Sequence, residues 1–472
     1  MIRFLLFLAF LSFSHISFGI EITCAKDLIK VFTTAKGNSV YDDIELISDI
    51  DFSNANLTTP LGSFANGTCI TYSGVFHGNY HTISGITMNT LNGYLYSGMF
   101  CGLENATIEN VLFDSSCSFS AKECAGALSP WVERSLHVKN VINSANVNGG
   151  SCGVGGLIGH VREPKEGDGV FSFEGCVNKG NVTGSEHSVG GLLGSIQNFN
   201  NMRVVISNSI NNGYIYGKYN IGGFVGMADS FEERIDVLVT NCINDGIING
   251  SFVIGGFFGH LSKAENSTLV VSNSMNSGVI MSEEEDVGSF FGRLFIGRSM
   301  NVKMINDTNS GEVIGNVNVG GFIGRLDNSE RMDIVNCSNN GSIKVRDSQK
   351  FVGGIIGGME SEGSPQSMLV LSSITNNHSI VVNCNSCSVG GLIGIVSEMV
   401  FVDIVIQDVT TNGSMVVNGS GTNPSVGGFI GSATENSNLT LTISHSANHF
   451  DISTQHVNKV GGFIGALTNT KN

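Results

Sequence analysis

The stretch Cys384-Asn-Ser-Cys387 has the spacing of a redox or zinc pair, since two thiols three residues apart can reach one metal ion or each other. No second Cys-x-x-Cys and no His pair accompanies it, so a local disulfide or two packed thiols is expected. A zinc protease needs His-Glu-x-x-His, and none of the 11 His precedes Glu. Polysaccharide cleavage needs carboxylates held about 5 to 10 Å apart. The candidates are Asp49 with Asp51, Asp229 with Glu232 and Glu233, and the run Glu283 to Asp286. Runs of this kind are ordinarily solvated loops, and no catalytic residue is assigned. The recurrent Gly-Gly-aliphatic motif is followed by no Asp at fixed spacing, as a calcium roll requires, and by no Gly-Lys-Ser/Thr, as a phosphate loop requires. No cofactor-binding or metal-ligating residue is assigned either, and the chain is expected not to be an enzyme.

That motif points to architecture. Hexapeptides of the type Val-Gly-Gly-Phe-Ile-Gly begin at Val154, Val189, Ile221, Ile254, Val287, Val319, Val352, Val389, Val426 and Val460, at intervals of 32 to 37 residues. Each interval holds a β-branched run such as MRVVISNS or IDVLVTNC, then an Asn-x-Gly corner and a short strand. No segment of this region keeps a helical period, which excludes the helical repeats of similar length. Three short strands and three corners per coil describe an all-β parallel β-helix, or β-solenoid. Ten coils at about 4.8 Å make a rod roughly 50 Å long, each coil burying its apolar face against its neighbours.

Aligned by corner, one position holds Asn143, Asn178, Asn211, Asn244, Asn276, Asn309, Asn339, Asn376 and Asn448, with Thr411 the exception. Amides stacked on successive coils can bond along the column, and Asn also tolerates the left-handed backbone a corner needs. Cys176, Cys242 and Cys337 share another column with Ser209 and Ser274, on coils too far apart for mutual disulfides. The hexapeptide sets a puzzle. Val319, Phe322 and Ile323 are all apolar, although strict alternation would turn one of them outward; either a glycine bulge resets the register or an apolar stripe lies outside. The segments after each hexapeptide vary in length and are acidic (Glu163, Glu166, Asp168, Glu232, Glu233, Asp327, Glu330, Glu360, Glu362), and would line one edge of the rod. Such edges are where solenoids bind partners, though neutral solubilising loops are the equal alternative.

Residues 1–19 read as a secretory signal peptide: Arg3, an apolar run, then Ser17-Phe18-Gly19. No later run of about 18 apolar residues would span a membrane. Residues 20–150 leave the period and read as an N-terminal cap with irregular first coils, the segment CAKDLIKVFTTA making a short capping helix; residues 151–472 are the ten-copy solenoid. Thirteen Asn-x-Ser/Thr sequons fit a secretory route: Asn56, Asn66, Asn105, Asn181, Asn249, Asn266, Asn306, Asn336, Asn340, Asn377, Asn412, Asn418 and Asn438. Eleven Cys allow at most five disulfides, stapling being expected in the first third. A net charge of -16 with only 14% charged residues makes nucleic acid and anionic membranes poor partners.

The order FHGNYHTISGI, SGMFCGL, ATIENV, then serial VGGLIG with Asn-x-Gly corners resembles the GLUG-repeat proteins, named for a Gly-Leu-aliphatic-Gly core, here Gly156-Leu157-Ile158-Gly159. The resemblance covers nearly the whole mature chain. It implies a β-helical, secreted or cell-surface protein, often adhesin-like; some bacterial IgA-cleaving metalloproteases carry such repeats beside a catalytic domain, whereas this chain shows the repeats alone. The expectation is a secreted or surface-associated interaction protein with a protein or glycan ligand. The alternatives are a carbohydrate-active β-helix enzyme, and a coat protein self-associating end to end through a closing coil that lacks a polar cap.

Overall fold

A computed structural model describes residues 19–55, 57–63, 68–89, 95–162, 169–197, 201–229, 234–327, 330–348, 351–360, 367–419 and 424–468, without the side chains of 263, 264 and 346–348. The expected signal peptide up to residue 18, the sequons Asn56 and Asn66, and most of the acidic segments after the hexapeptides lie outside these residues.

Two strands of one coil, Leu193–Gln197 and Met202–Ser207, belong to one sheet; the next two, Ile210–Asn211 and Tyr214–Gly222, belong to the other. Each then pairs, in parallel and in register, with its counterpart one coil on, as Val204 does with Val237 and Ile221 with Ile254. Repetition builds a 26-stranded and a 31-stranded sheet facing each other across one core. This is the all-β parallel solenoid that the repeat predicts. A coil has four or five strand segments where three were expected. Two lie in one sheet, as Leu193–Gln197 and Met202–Ser207 do, and two or three in the other, which the Asn-x-Gly corner commonly divides.

The hexapeptide puzzle has a third solution. Val319, Phe322 and Ile323 are all 0% exposed. Strand Val319–Gly320 ends in one sheet and strand Ile323–Asp327 begins in the other, so the glycines carry a corner and both flanking faces point inward. There is neither a bulge nor an outer stripe at these positions. Gly222, at the second position, stands so close to its own corner that a Cβ would collide with the Val225 carbonyl. The fourth position makes a column of rings: Phe224, Phe257, Phe290 and Phe322 stack at 5.0, 4.6 and 5.0 Å between centroids, close to the strand spacing.

Helix Ala25–Thr34 closes the first coils, burying Ala25, Leu28 and Phe32, and the Phe32 ring meets Tyr72 and Phe100 at 6.1 and 5.7 Å. The sheets run without a break through residue 150, since strand Ser129–Lys139 pairs with Gly102–Glu109 before it and Gly169–Glu174 after it. Disulfides join Cys69 to Cys101, Cys124 to Cys152 and Cys384 to Cys387. Cys176, Cys242 and Cys337 are free and buried, as is Cys117, and burial pushes the Cys176 thiol up to about 12.

Candidate functional site

The nine aligned Asn residues lie in one internal column, all but Asn448 fully buried. From Asn143 to Asn339 each amide donates to the next Oδ1, at 3.0, 3.0, 2.8, 2.7, 2.9 and 2.8 Å. Several of these oxygens also accept the N–H two residues on, as Asn211 does from Gly213 at 3.3 Å, so one short side chain closes its own corner and bonds the next coil. Beyond Asn339 the chain of amides stops. Asn339 donates instead to the Gly354 carbonyl at 2.7 Å, Asn376 to Gly391, and Asn448 to Gly462 at 2.9 Å. The break coincides with His378, which stands two residues past Asn376 where the preceding coil has Gly341. Its ring is 4% exposed and packs edge-on against Phe450; neither ring nitrogen has a partner, and burial lowers its pKa to about 3.

The left-handed backbone belongs to a different column. Asn140, Asn208, Asn241, Asn273, Asn306 and Asn336, three residues before the internal Asn, all have φ between 50 and 58°, Gly175 fills the gap at 63°, and Asn110, three before Phe113 at the head of the column, has φ 56°. These are mostly exposed and bond one another from outside, as Asn306 does to Asn273 at 3.1 Å. One expected column with two tasks is thus two columns with one task each. Among the sequons, Asn105, Asn181, Asn266, Asn306, Asn336, Asn340, Asn377 and Asn438 are exposed, while Asn249, Asn412 and Asn418 are half-buried within strands.

The titratable groups serve the fold. Asp51 accepts the Ser53 N–H at 2.8 Å and Asp49 that of Thr82 at 2.8 Å. Asp229 takes the Ser262 hydroxyl, Asp286 is buried against the Asn318 amide, and Glu283, Glu284 and Glu285 are exposed. Burial raises Asp286 to about 6 despite that amide and the nearby Arg325 and Arg293. Asp327, expected in an exposed acidic loop, is 5% exposed and clamped by Arg293 at 2.6 Å and Arg325 at 2.7 Å, and Arg325 also reaches Glu360 at 2.8 Å. His160 bonds Ser195 at 2.8 Å, but that Ser is 3% exposed and out of a substrate's reach. Among the described residues no group of three or more His, Cys, Asp or Glu could hold a metal ion. A cleft of about 640 Å³ at the capped end is lined by Asp27, Lys30, Tyr41 and Asp42, without any acid–base constellation.

The exposed feature that interrupts this pattern is aromatic. Strands Tyr214–Gly222 and Ile247–Gly255 pair in register, setting Tyr214 beside Ile247, Tyr216 beside Asn249 and Tyr219 beside Phe252. Ile215 and Ile248 point into the core, which turns Tyr214, Tyr216 and Ile247 outward at 37, 44 and 44% exposure. Tyr219 and Phe252 stack at 4.9 Å, the Lys218 ammonium lies 5.1 Å from the Tyr219 ring, and the Asn249 amide reaches the Tyr214 hydroxyl at 3.4 Å. Rings on a rigid sheet, edged by an amide and an ammonium, offer an apolar platform with polar handles. The sequence carried a signal for it: three of eight Tyr fall within YIYGKY, two of them at the outward positions of a strand.

No protein-family model matches the chain, and no curated protein matches it. Among solved structures, a 1.30 Å crystal structure from Bacteroides ovatus, provisionally titled an immunoglobulin A1 protease, is 15% identical and covers 69% of this chain and 77% of its own, with a TM-score of 0.35. A likeness at that level carries no argument about activity. No helix among the described residues is long and apolar enough to cross a membrane.

Proposed function

We propose that the chain is a secreted or surface-associated, non-catalytic β-solenoid that presents its tyrosine face to a protein or glycan ligand. The observation that carries this is the exposed cluster of Tyr214, Tyr216 and Ile247 on adjacent coils, backed by stacked Tyr219 and Phe252. The repeat's resemblance to GLUG proteins supports an adhesin-like role, and the charge of -16 supports a partner other than nucleic acid. Among the described carboxylates, Asp286 faces an amide and Asp49 and Asp51 cap backbone N–H groups, which supports the binding reading over a glycosidase; the candidates Glu232 and Glu233 lie outside the described residues.

The test is to tag the chain in its own cell and locate the mature product. Recovery at the surface or in the medium is expected; retention in the cytosol would overturn the proposal. Sedimentation of the same preparation decides the coat-protein alternative. The last described coil exposes Val460 and Phe463 at 52 and 45%, where their equivalents Val426 and Phe429 are fully buried. A monomer at all concentrations rejects end-to-end assembly.

A further inference from the structure

The sequon Asn249-Gly-Ser251 differs in place from the rest. The exposed sequons sit mainly at corners, where an attached sugar would project into water, whereas Asn249 is half-buried in the middle of a strand. Asn412 and Asn418 are also in strands, but their amides donate to Asn377 and Asn383 of the preceding coil at 2.8 and 3.0 Å. The Asn249 amide instead meets an aromatic residue, the Tyr214 hydroxyl, and Tyr216 lies directly across from it.

We propose that Asn249 is a glycosylated position whose sugar chain lies across the tyrosine face and closes it to a partner; this rests on the reading of that face as the interaction surface. In the transfer, the bond between sugar C1 and the pyrophosphate of a lipid-linked oligosaccharide breaks and a C1–Nδ2 bond forms. The amide gives up one proton and the lipid pyrophosphate leaves. Transfer precedes folding, so half-burial of Asn249 is no obstacle to it. After folding, the substituted nitrogen keeps one N–H for the Tyr214 hydroxyl, and the first sugar must leave between Tyr214 and Tyr216. Its apolar C–H face then covers ring surface that water would otherwise meet. An unmodified chain presents the face and a modified chain hides it, so occupancy at a single residue sets the fraction of chains able to bind.

The experiment uses the full chain, expressed in a eukaryotic secretory host, with the occupancy of Asn249 read by peptide mass spectrometry. Tyrosine nitration is then measured residue by residue for the parent, for Asn249→Gln and for Ser251→Ala, which removes the sequon but keeps the amide. Tyr41 and Tyr80, 73 and 60% exposed at the capped end, are internal controls. Nitration of Tyr214 and Tyr216 is expected to rise severalfold in both variants, and after enzymatic removal of the glycan from the parent, with the controls unchanged. An unoccupied Asn249, or equal nitration with and without glycan, overturns the proposal. Loss of the tyrosines with no effect on ligand attachment overturns the reading of the face itself, whatever the glycan does.

Discussion

Replacing Asp307 by Ser should make the protein more stable near neutral pH while leaving it almost unchanged in mild acid. Asp307 is 0% exposed, and its carboxylate accepts the Ser274 N–H at 2.9 Å and the Ile305 N–H at 3.1 Å. Those two bonds fall short of replacing bulk water, and burial raises the pKa from 3.8 to about 7. Between these values the folded chain holds a proton that the unfolded chain has released, so stability falls as pH rises. The slope is about 1.4 kcal/mol per pH unit, and the penalty, fully present above pH 7, is about 4 kcal/mol. Serine is the replacement the fold already uses. Ser209 and Ser274, earlier in this column, each accept the N–H of the preceding coil (3.1 and 3.2 Å) and donate to a carbonyl two residues back (2.9 and 3.0 Å). Wild-type pH dependence would not isolate Asp307, because other groups add a mixed background term. Asp286, raised to about 6, adds the same slope, while His378 and His160, lowered from 6.5 to about 3 and about 4, give the opposite one over much of the same range. The difference between variant and parent cancels that term. Urea unfolding at several pH values between about 4.5 and 8, with hydrogen exchange of the 272–309 segment reading the local transition, supplies it. A stabilisation that grows to several kcal/mol towards pH 8 is expected; a difference that stays flat, or that shrinks with pH, would refute the reasoning.

Asn244→Ala severs amide bonds of 2.8 and 2.7 Å and strands their partners in the core, which should cost about 2 to 4 kcal/mol in denaturant unfolding. Asn241→Gly, three residues earlier at φ 54°, should fall within about 0.5 kcal/mol of the parent, since glycine adopts that conformation without strain. Gly222→Ala drives a methyl group into the Val225 carbonyl and should cost about 3 kcal/mol or more, read as lost secretion of folded protein. His378→Phe removes a ring that must take up a proton to unfold in acid; its gain over the parent should widen as pH falls from about 6.5 towards 3, measured by the acid midpoint of circular dichroism.

The solenoid was legible because a repeat reports its own register. Hexapeptide spacing sets the coil, and the Asn positions it aligns, Asn143 to Asn376, meet in one internal column. Three features were not legible, each for a physical reason. Alternation cannot tell a bulge from a corner, so the burial of both Phe322 and Ile323 needed the change of sheet between them. Asn suits both an amide column and a left-handed corner, and the text of SNSINNG alone does not divide those tasks between Asn208 and Asn211. The tyrosine face depends on which residues of YIYGKY point outward and on what stands one coil away, Ile247, Asn249 and Phe252, which only the register supplies. Charge was misleading as well: Asp327 sits in an acidic stretch yet is buried between two arginines.

The account turns on whether the tyrosine face is what the rod presents to its surroundings. The direct measurement is attachment of the labelled, unglycosylated full chain to intact cells of its source, comparing the parent with Tyr214→Ala/Tyr216→Ala and with Tyr41→Ala as the control. Saturable attachment that drops at least tenfold in the double variant, about 1.4 kcal/mol of binding free energy, and is untouched in the control is the predicted result. Equal attachment by all three proteins, each shown to be folded, would contradict it.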